Sequence, residues 1–423
     1  MYKYNSNMDQ DNLYATLKPV NYLCRILGIA SYSISDIKND YSKLGKRFWK
    51  ILWPYILVVL LICGFVFRLR FIFIVESHLV HHNILVTDIL NTSMEYMAGI
   101  FLIIFRTIKH PENMSLILKK FGSLNGYIFG RRDEFNTQSG ISPVIRATLW
   151  LLICTKILFT LSNFVIWKTP WLPENVIGEK WCNCALYVVI MKYVLLVQYY
   201  TSKHRELNYQ ITALNDFLTP KIKVLVSKNM NELLSVGSSC NPRPNQISEA
   251  TVPHRDTVSL NRVVALQKDH MHLYDVAQLL NSAYGFQILL CFTFLFLQLI
   301  LNYNVAFDIV VKVLSQKAGI ATDIQEFSCL FHAILSSVIV TYVTVSCHLA
   351  SEEANRTGHV VHTLLLKPDL NRDVILQLQL FSSQVSNLKV KFTTCGFFTI
   401  NASLLCGIGG VVCTYLIILY QFR

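Results

Sequence analysis

The chain contains 423 residues, of which 53% are hydrophobic and only 15% charged, and its mean hydropathy is +0.40. An average soluble protein has about 25% charged residues, so this chain has too few to coat the two or three soluble domains that its length would allow. The net charge of +12 comes without a basic stripe interleaved with aromatic residues, which disfavours nucleic-acid binding. Apolar residues instead cluster in blocks of roughly twenty, the length of a bilayer-spanning helix. We therefore predict an all-α polytopic membrane protein.

Seven apolar segments are predicted to span the membrane. They cover residues 51–67, 84–105, 147–167, 183–200, 284–302, 328–349 and 398–421. Residues 225–262 gather Ser, Asn and Pro, and part of this stretch is predicted to be disordered. Residues 201–222, 264–280 and 350–366 are predicted to be helices that continue spans four, five and six inward into a cytosolic base.

Lysine and arginine are distributed unequally between alternate connections. Segments 1–50, 106–146, 201–283 and 350–397 hold 29 of the 38 Lys and Arg residues, and the alternate segments hold 7. Because cytosolic loops are enriched in these residues, we predict a cytosolic N-terminus and an extracellular C-terminus. This orientation is the reverse of a G-protein-coupled receptor, so a metabotropic receptor is disfavoured. A transporter is also disfavoured, since seven spans do not suit an inverted repeat.

Motifs for catalysis are missing from the sequence. The chain has no phosphate-binding G-x-x-x-x-G-K-[ST], no G-x-S-x-G and no H-E-x-x-H, so we predict neither an enzyme nor a cofactor. His270 with His272 and His359 with His362 are interpreted as surface histidines of cytosolic helices rather than metal ligands.

Cysteine is used mainly as a small apolar residue of the spans. Of the 12 cysteines, three lie near the predicted outer face. A disulfide from Cys182 or Cys184 to Cys329 is therefore left open.

The second span carries a continuous polar face in its outer half. Asp88, Asn91, Thr92 and Glu95 follow at i, i+3, i+4 and i+7, and polar groups of this kind face the bundle because lipid contact is costly. One interpretation is a pocket for a hydroxyl-rich ligand. Its further lining would come from Asn163, Trp167, Gln298, Asn302, His332 and Ser336. The alternative is a structural network in which Glu95 pairs with a lysine at similar depth, Lys156 or Lys192.

The last apolar segment has small side chains in its inner half and both apolar and polar side chains in its outer half. Its small residues occur at small-xxx-small spacing, as in Ser403 and Gly407, which lets helices approach closely. Thr414, Ile418 and Gln421 then form one stripe at i, i+4 and i+7. A glutamine facing lipid is disfavoured, so this stripe is predicted to face protein or water. An ordinary interhelical contact, with the glutamine at headgroup level, is the alternative.

The same segment resembles the end of insect gustatory receptors. Thr414-Tyr415, five residues, then Gln421-Phe422 is similar to the T-Y-h-h-h-h-h-Q-F signature of that family. Other segments resemble the family as well: His272–Asp275, Leu279–Asn281, Cys347–Ala350 with Glu353, and Phe392–Phe397. The resemblance covers the layout of the whole chain and residues 270–423 in detail.

This resemblance implies a ligand-gated cation channel in the plasma membrane of a chemosensory cell. It implies a tetramer that meets mainly through its cytosolic base, with the last helix of each subunit lining a central pore. Pore or gate positions would be Thr414, Tyr415, Ile418, Gln421 and Phe422. The predicted parts are a cytosolic segment (1–50), a ligand-binding bundle (51–349), a cytosolic anchor (350–397) and a pore helix (398–423).

The agonist implied is a small polar molecule, with a sugar favoured. The run Thr414–Leu419 and the long connection 201–283 look more like the fructose-receptor branch of the family. A bitter, orphan or odorant-type receptor is the alternative. The expected partners are identical subunits, other gustatory receptors and membrane lipid.

Overall fold

The computed structural model describes residues 7–29, 48–74, 82–123, 173–218, 252–314, 323–367 and 370–421. Within these ranges the chain forms eight α-helices and no strand beyond one isolated bridge. The helices are α1 (Asn7–Ile26), α2 (Phe48–Ile74), α3 (His82–Ser123), α4 (Pro173–Leu218), α5 (Val252–Leu314), α6 (Asp323–Leu365), α7 (Arg372–Asn387) and α8 (Ala402–Gln421). The predicted all-α class is confirmed.

Six of the seven predicted spans coincide with these helices. The third, 147–167, lies outside the described residues, as does most of the 225–262 stretch; α5 already begins at Val252. Among the described residues, four helices are long and apolar enough to cross a membrane, and Ile89–Phe105 and Ala402–Ile418 are shorter apolar helical stretches.

The predicted inward extensions of spans four to six are also confirmed as helix. α4, α5 and α6 contain 46, 63 and 43 residues. At 1.5 Å per residue even the shortest is about 64 Å long, roughly twice the thickness of the hydrocarbon core. Each helix therefore continues well beyond the bilayer.

The centre of the bundle is α4, which packs against α1, α2, α3, α5 and α6. From Cys182 to Tyr200 every side chain is buried except Cys184 and Gln198, which are half-buried. The α3 helix approaches α4 very closely at Gly99, where an added Cβ would lie 2.4 Å from the Cys182 Sγ. By contrast, α2 exposes many apolar side chains, among them Val59 and Phe67, as expected of a helix that faces lipid.

A feature that the sequence analysis did not foresee is α1, inside the polar segment 1–50. Leu13, Leu17, Val20 and Cys24 recur every three or four residues and are almost fully buried, so one face of α1 packs into the bundle. The chain then turns at Gly28, whose positive φ of 73° and close approach to Leu57 favour glycine. The N-terminal segment is thus partly built into the core.

A short turn joins the helical base to the last helix. α7 buries Val374, Leu378, Phe381 and Val385 on one face. Residues 392–400 then form a tight turn, closed by the hydrogen bond from the Ile400 N–H to the Phe392 carbonyl at 2.9 Å. Because of this turn, α8 begins at Ala402, four residues later than predicted.

Candidate ligand site and pore helix

The polar face of α3 meets α5 in a hydrogen-bonded cluster. The Gln298 amide donates to Asn91 Oδ1 at 2.7 Å and to Glu95 Oε1 at 2.9 Å. Asn302, one turn along α5, donates to the Gln298 carbonyl at 2.8 Å and to its Oε1 at 3.0 Å. Glu95 is only 2% exposed. Four of the predicted ligand-site residues therefore contact one another directly.

The remaining predicted residues are placed less completely. Ser336 of α6 is fully buried. Thr92 is buried on α3, and His332 is half-buried on α6. Asn163 and Trp167 lie outside the described residues, as does the side chain of Asp88.

The alternative prediction for Glu95 is an ion pair with Lys156 or Lys192. Lys156 lies outside the described residues. Lys192 is fully buried, and its Nζ donates to Asn21 Oδ1 of α1 at 3.1 Å. Since Gln298 already bonds both Asn91 and Glu95, a ligand entering here would have to compete with Gln298 for them.

The last helix packs against the bundle along one face only. Leu404, Leu405, Ile408 and Leu416 contact the core, and Val412 is 8% exposed. At 100° per residue, Gly407, Gly410, Thr414, Ile418 and Gln421 lie on the opposite face, and all five are exposed. An added Cβ on Gly407 or Gly410 would meet nothing within 4 Å.

Of the predicted pore positions, Thr414, Ile418 and Gln421 are thus on the unpacked side of α8, whereas Tyr415 lies about 20° from the packed Ile408 around the helix. Tyr415 is 40% and Ile418 43% exposed. The Thr414 hydroxyl donates to the Gly410 carbonyl of its own helix at 2.8 Å. Phe422 lies outside the described residues.

The segments that resemble gustatory receptors gather around the turn before α8. Asn281 holds this turn from α5: its amide donates to the Lys391 carbonyl at 2.7 Å and accepts from the Thr393 N–H at 3.2 Å. The Phe392 ring packs edge-on against Tyr200 of α4 at 5.7 Å. Motifs far apart in sequence therefore share one structural task, which is to fix the chain that leads into the last helix.

Two further parts of the same motifs tie other helices to the base. Asp275 accepts from Lys120 of α3 at 2.6 Å. Glu353 accepts from the Asn208 amide of α4 through both its carbonyl, at 2.8 Å, and its carboxylate, at 2.9 Å.

The interpretation of the histidine pairs as surface residues is wrong for His270. It is 1% exposed, with its ring 6.0 Å from that of His204 and 5.7 Å from that of Phe381. It is buried because α7 covers this side of α5. No group of three or more potential metal ligands occurs among the described residues.

The disulfide that the sequence left open is not formed. Cys182 and Cys184 both retain thiols in the structure. Cys182 lies fully buried against Gly99 at the α3–α4 contact, so its surroundings fit the packing role of a small apolar side chain.

Comparison with known proteins identifies the family. The family model for the 7tm chemosensory receptor matches residues 17–423. The chain therefore belongs to this family, and it is a multi-pass plasma-membrane receptor rather than an enzyme. The predicted resemblance to gustatory receptors is confirmed.

Three Drosophila melanogaster relatives are gustatory receptors. Gustatory receptor 28b is 23% identical over 97% of this chain and 86% of its own length. The receptor for sugar taste 43a is 24% identical over 38% of this chain and 35% of its own length. The receptor for bitter taste 66a is 30% identical over 24% of this chain and 21% of its own length.

Solved structures of an insect olfactory receptor share the fold. OR5 from Machilis hrabei in complex with eugenol matches with a TM-score of 0.67 and 13% identity, over 98% of this chain and all of that one. A second structure of OR5 from Machilis hrabei matches with a TM-score of 0.65 and 11% identity, over the same shares of the two chains.

Proposed function

We propose that this receptor is a ligand-gated, non-selective cation channel opened by a small polar tastant, with a sugar such as fructose favoured. The observation that carries the channel proposal is the one-sided packing of α8. A single subunit covers the Val412 face and leaves the opposite face, with Gly410, Ile418 and Gln421, exposed. If copies of α8 from several subunits surround a central axis, this exposed face lines a water-filled pore.

Self-association is supported by apolar surface on the helical base. On α7, Leu376 and Leu380 are 59% and 54% exposed one turn apart, and Phe397 in the turn before α8 is 77% exposed. These residues lie in a region predicted to be cytosolic, where lipid does not cover them. We infer that identical subunits, assembled as a tetramer, bury them and bring the four last helices together.

The polar ligand is supported by the cluster around Gln298. A buried group that loses its hydrogen bond costs about 1–3 kcal/mol, so an apolar ligand that displaced Gln298 would leave Asn91 and Glu95 without it. A ligand with hydroxyl groups could replace those bonds. The local similarity to a receptor for sugar taste agrees with this choice; the local similarity to a receptor for bitter taste keeps a bitter agonist as the second candidate.

The test is to express this chain alone and record agonist-evoked current. Sugars, including fructose, and apolar bitter compounds are applied while G-protein signalling is blocked. We expect a cation current with a sugar, and the same current in reconstituted membranes without a substrate gradient. A response that disappears when G-protein signalling is blocked would reject the channel; a current with bitter compounds alone would reject the sugar.

Variants of the cluster test where the agonist binds. Gln298→Ala should shift the agonist dose response at normal surface expression, whereas Gln278→Ala, an exposed glutamine on the same helix, should not. Glu95→Gln keeps an oxygen for Gln298 and removes the charge, so it separates charge from hydrogen bonding. Normal dose responses in both Gln298→Ala and Glu95→Gln would place the ligand elsewhere.

A further inference from the structure

A cavity of about 720 Å³ lies at the end of the bundle where α8 begins, far along α4 and α6 from the Gln298 cluster. Its walls come from α4, α6 and the connection between α7 and α8. This volume falls within the range of small-molecule sites, about 300–1,000 Å³. The ligand proposed above does not account for it.

The basic side chains of the cavity come from three separate segments. Arg205 lies on α4, Arg356 on α6 and Lys391 on the connection. Arg205 and Lys391 are exposed, and neither forms an ion pair with another residue that the structure describes. Positive groups brought together in this way suit a ligand with several negative oxygens, since arginine binds phosphate through paired N–H donors.

The two carboxylates of the lining are turned toward other partners. Glu353 is 13% exposed and accepts from Asn208 at 2.9 Å, and Arg356 lies 3.9 Å from it. Glu352 lies 3.6 Å from the His348 ring. Because these acids are engaged, the positive charge of Arg205 and Lys391 remains available to a ligand.

The wall nearest the last helix is held rigidly. Asn355 donates to the Val390 carbonyl at 3.2 Å and accepts from the Val390 N–H at 3.1 Å. Asn401 lines the cavity and caps α8 by accepting from the Leu404 N–H at 3.3 Å. The positive end of the α8 dipole is therefore close by and would favour an anion that the arginines and lysine hold.

The depth of the cavity decides between a free anion and a lipid. His348 is the last residue but one of the predicted sixth span, Thr399 is the second residue of the predicted last span, and Arg205 lies five residues beyond the fourth, about 7–8 Å along the helix. The headgroup layer on each side of a bilayer is about 5–7 Å thick. The lining residues thus lie at the level of the headgroups on the side predicted to be cytosolic, where anionic lipids concentrate and basic pockets between helices bind phosphorylated headgroups.

We propose that this cavity binds the phosphorylated inositol headgroup of an anionic lipid in the cytosolic leaflet. Arg205 and Lys391 bind the phosphate groups, and the headgroup touches the chain at the start of the last helix. The proposal rests on the predicted membrane orientation but not on the agonist or on channel opening, so it can fail while the channel proposal stands.

The test measures lipid binding to the full-length receptor in neutral detergent by native mass spectrometry. The probes are short-chain phosphatidylinositol bisphosphate, short-chain phosphatidylserine, soluble inositol trisphosphate and inorganic phosphate. We expect the bisphosphate lipid to bind most tightly. Arg205→Gln and Lys391→Gln should each weaken it roughly tenfold, the loss of one charged hydrogen-bonded contact of about 1.4 kcal/mol.

The matched control is Lys389→Gln, which removes an exposed lysine two residues from Lys391 but outside the cavity lining. It should leave the affinity unchanged. An equal loss in Lys389→Gln would show diffuse surface attraction and reject the site. Equal binding of phosphatidylserine would reject the phosphorylated headgroup, and equal binding of inositol trisphosphate or phosphate would reject a lipid as the ligand. Arg205→Gln and Lys391→Gln both replace exposed side chains, and unchanged thermal unfolding of either suffices for the comparison.

Discussion

The helices α4 and α8 are both apolar, yet they differ in how far the subunit buries them. α4 is covered on all sides between Cys182 and Tyr200, whereas α8 has Val412 as its one fully buried side chain among the described residues. Hydropathy cannot separate the two, because lipid, protein and the walls of a pore all accept apolar side chains. What separates them is whether the subunit alone completes the packing.

This contrast divides substitutions into two kinds. A substitution along α4 changes the stability of the subunit, since the neighbouring side chains are already in van der Waals contact. A change on the exposed face of α8 meets open space within the subunit and is felt only through other subunits, water or ions.

Gly99→Ala should destabilise the subunit strongly. The new Cβ would lie 2.4 Å from the Sγ and 2.6 Å from the Cβ of Cys182, so α3 and α4 must move apart, and overpacking of this kind costs about 1–3 kcal/mol. Gly409→Ala on α8 is the control, because its Cβ meets nothing within 4 Å. Thermal unfolding of the purified proteins should show a lower stability for Gly99→Ala than for Gly409→Ala. Equal stability of the two variants would show that α3 and α4 are not tightly packed at Gly99.

Part of this architecture was predictable from sequence. Span positions, helical class and inward extensions follow from composition and periodicity, which depend on local spacing alone. The contact of Gly99 with Cys182 does not, because it joins residues 83 positions apart that carry no paired signal. For α1 the signal was present in the spacing of Leu13, Leu17 and Val20, but the polar residues between them lowered the average hydropathy.

The candidate site was predictable to a similar extent. The helical spacing of Asn91 and Glu95 correctly placed them on one inward face, because lipid excludes polar groups from the other. Their shared partner, Gln298, could be named as a candidate but not paired, since the register between α3 and α5 is set by packing. His270 was misplaced for the same reason: nothing local to α5 shows that α7 covers it.

Asn21→Ala should lower stability by less than Gly99→Ala but still measurably. It removes the acceptor 3.1 Å from the Nζ of the buried Lys192, and a buried donor that loses its hydrogen bond costs about 1–3 kcal/mol. In a Lys192→Met background the same substitution should cost much less, because no Nζ donor remains. A double-mutant cycle by thermal unfolding measures the difference. Equal costs in both backgrounds would show that this hydrogen bond does not stabilise the docking of α1.

On α8, Ile418→Ala should leave subunit stability unchanged and raise the current without agonist. Four Ile418 side chains around an axis would narrow and dry the pore, and apolar constrictions close channels by dewetting. Val412→Ala is the control, since its side chain is buried against the bundle and away from the exposed face. The measurement is single-channel recording at matched surface expression.

Gln421 tests the same pore from its outer mouth. A ring of neutral amides contacts cations without discriminating strongly among them, so Gln421→Ala should alter conductance or gating, and Gln421→Arg should oppose cation flow by repulsion. Unchanged conductance, selectivity and basal opening in Ile418→Ala and both Gln421 variants would mean that this face of α8 contacts lipid or protein instead of a pore.

The smallest effect is expected in the turn between α7 and α8. Cys395 has a φ of 51° and Gly396 a φ of 81°, in the left-handed region that glycine adopts without strain. Cys395→Gly relieves a conformation that costs a non-glycine residue about 1–2 kcal/mol but adds chain entropy to the unfolded state worth about 0.5–1 kcal/mol, so a gain of about 0.5 kcal/mol remains. Gly396→Ala should do the reverse, and since its Cβ would meet nothing within 4 Å, any loss is due to the backbone alone. Thermal unfolding should move in opposite directions for the two variants, and a shift in the same direction would show that the positive φ values do not strain this turn.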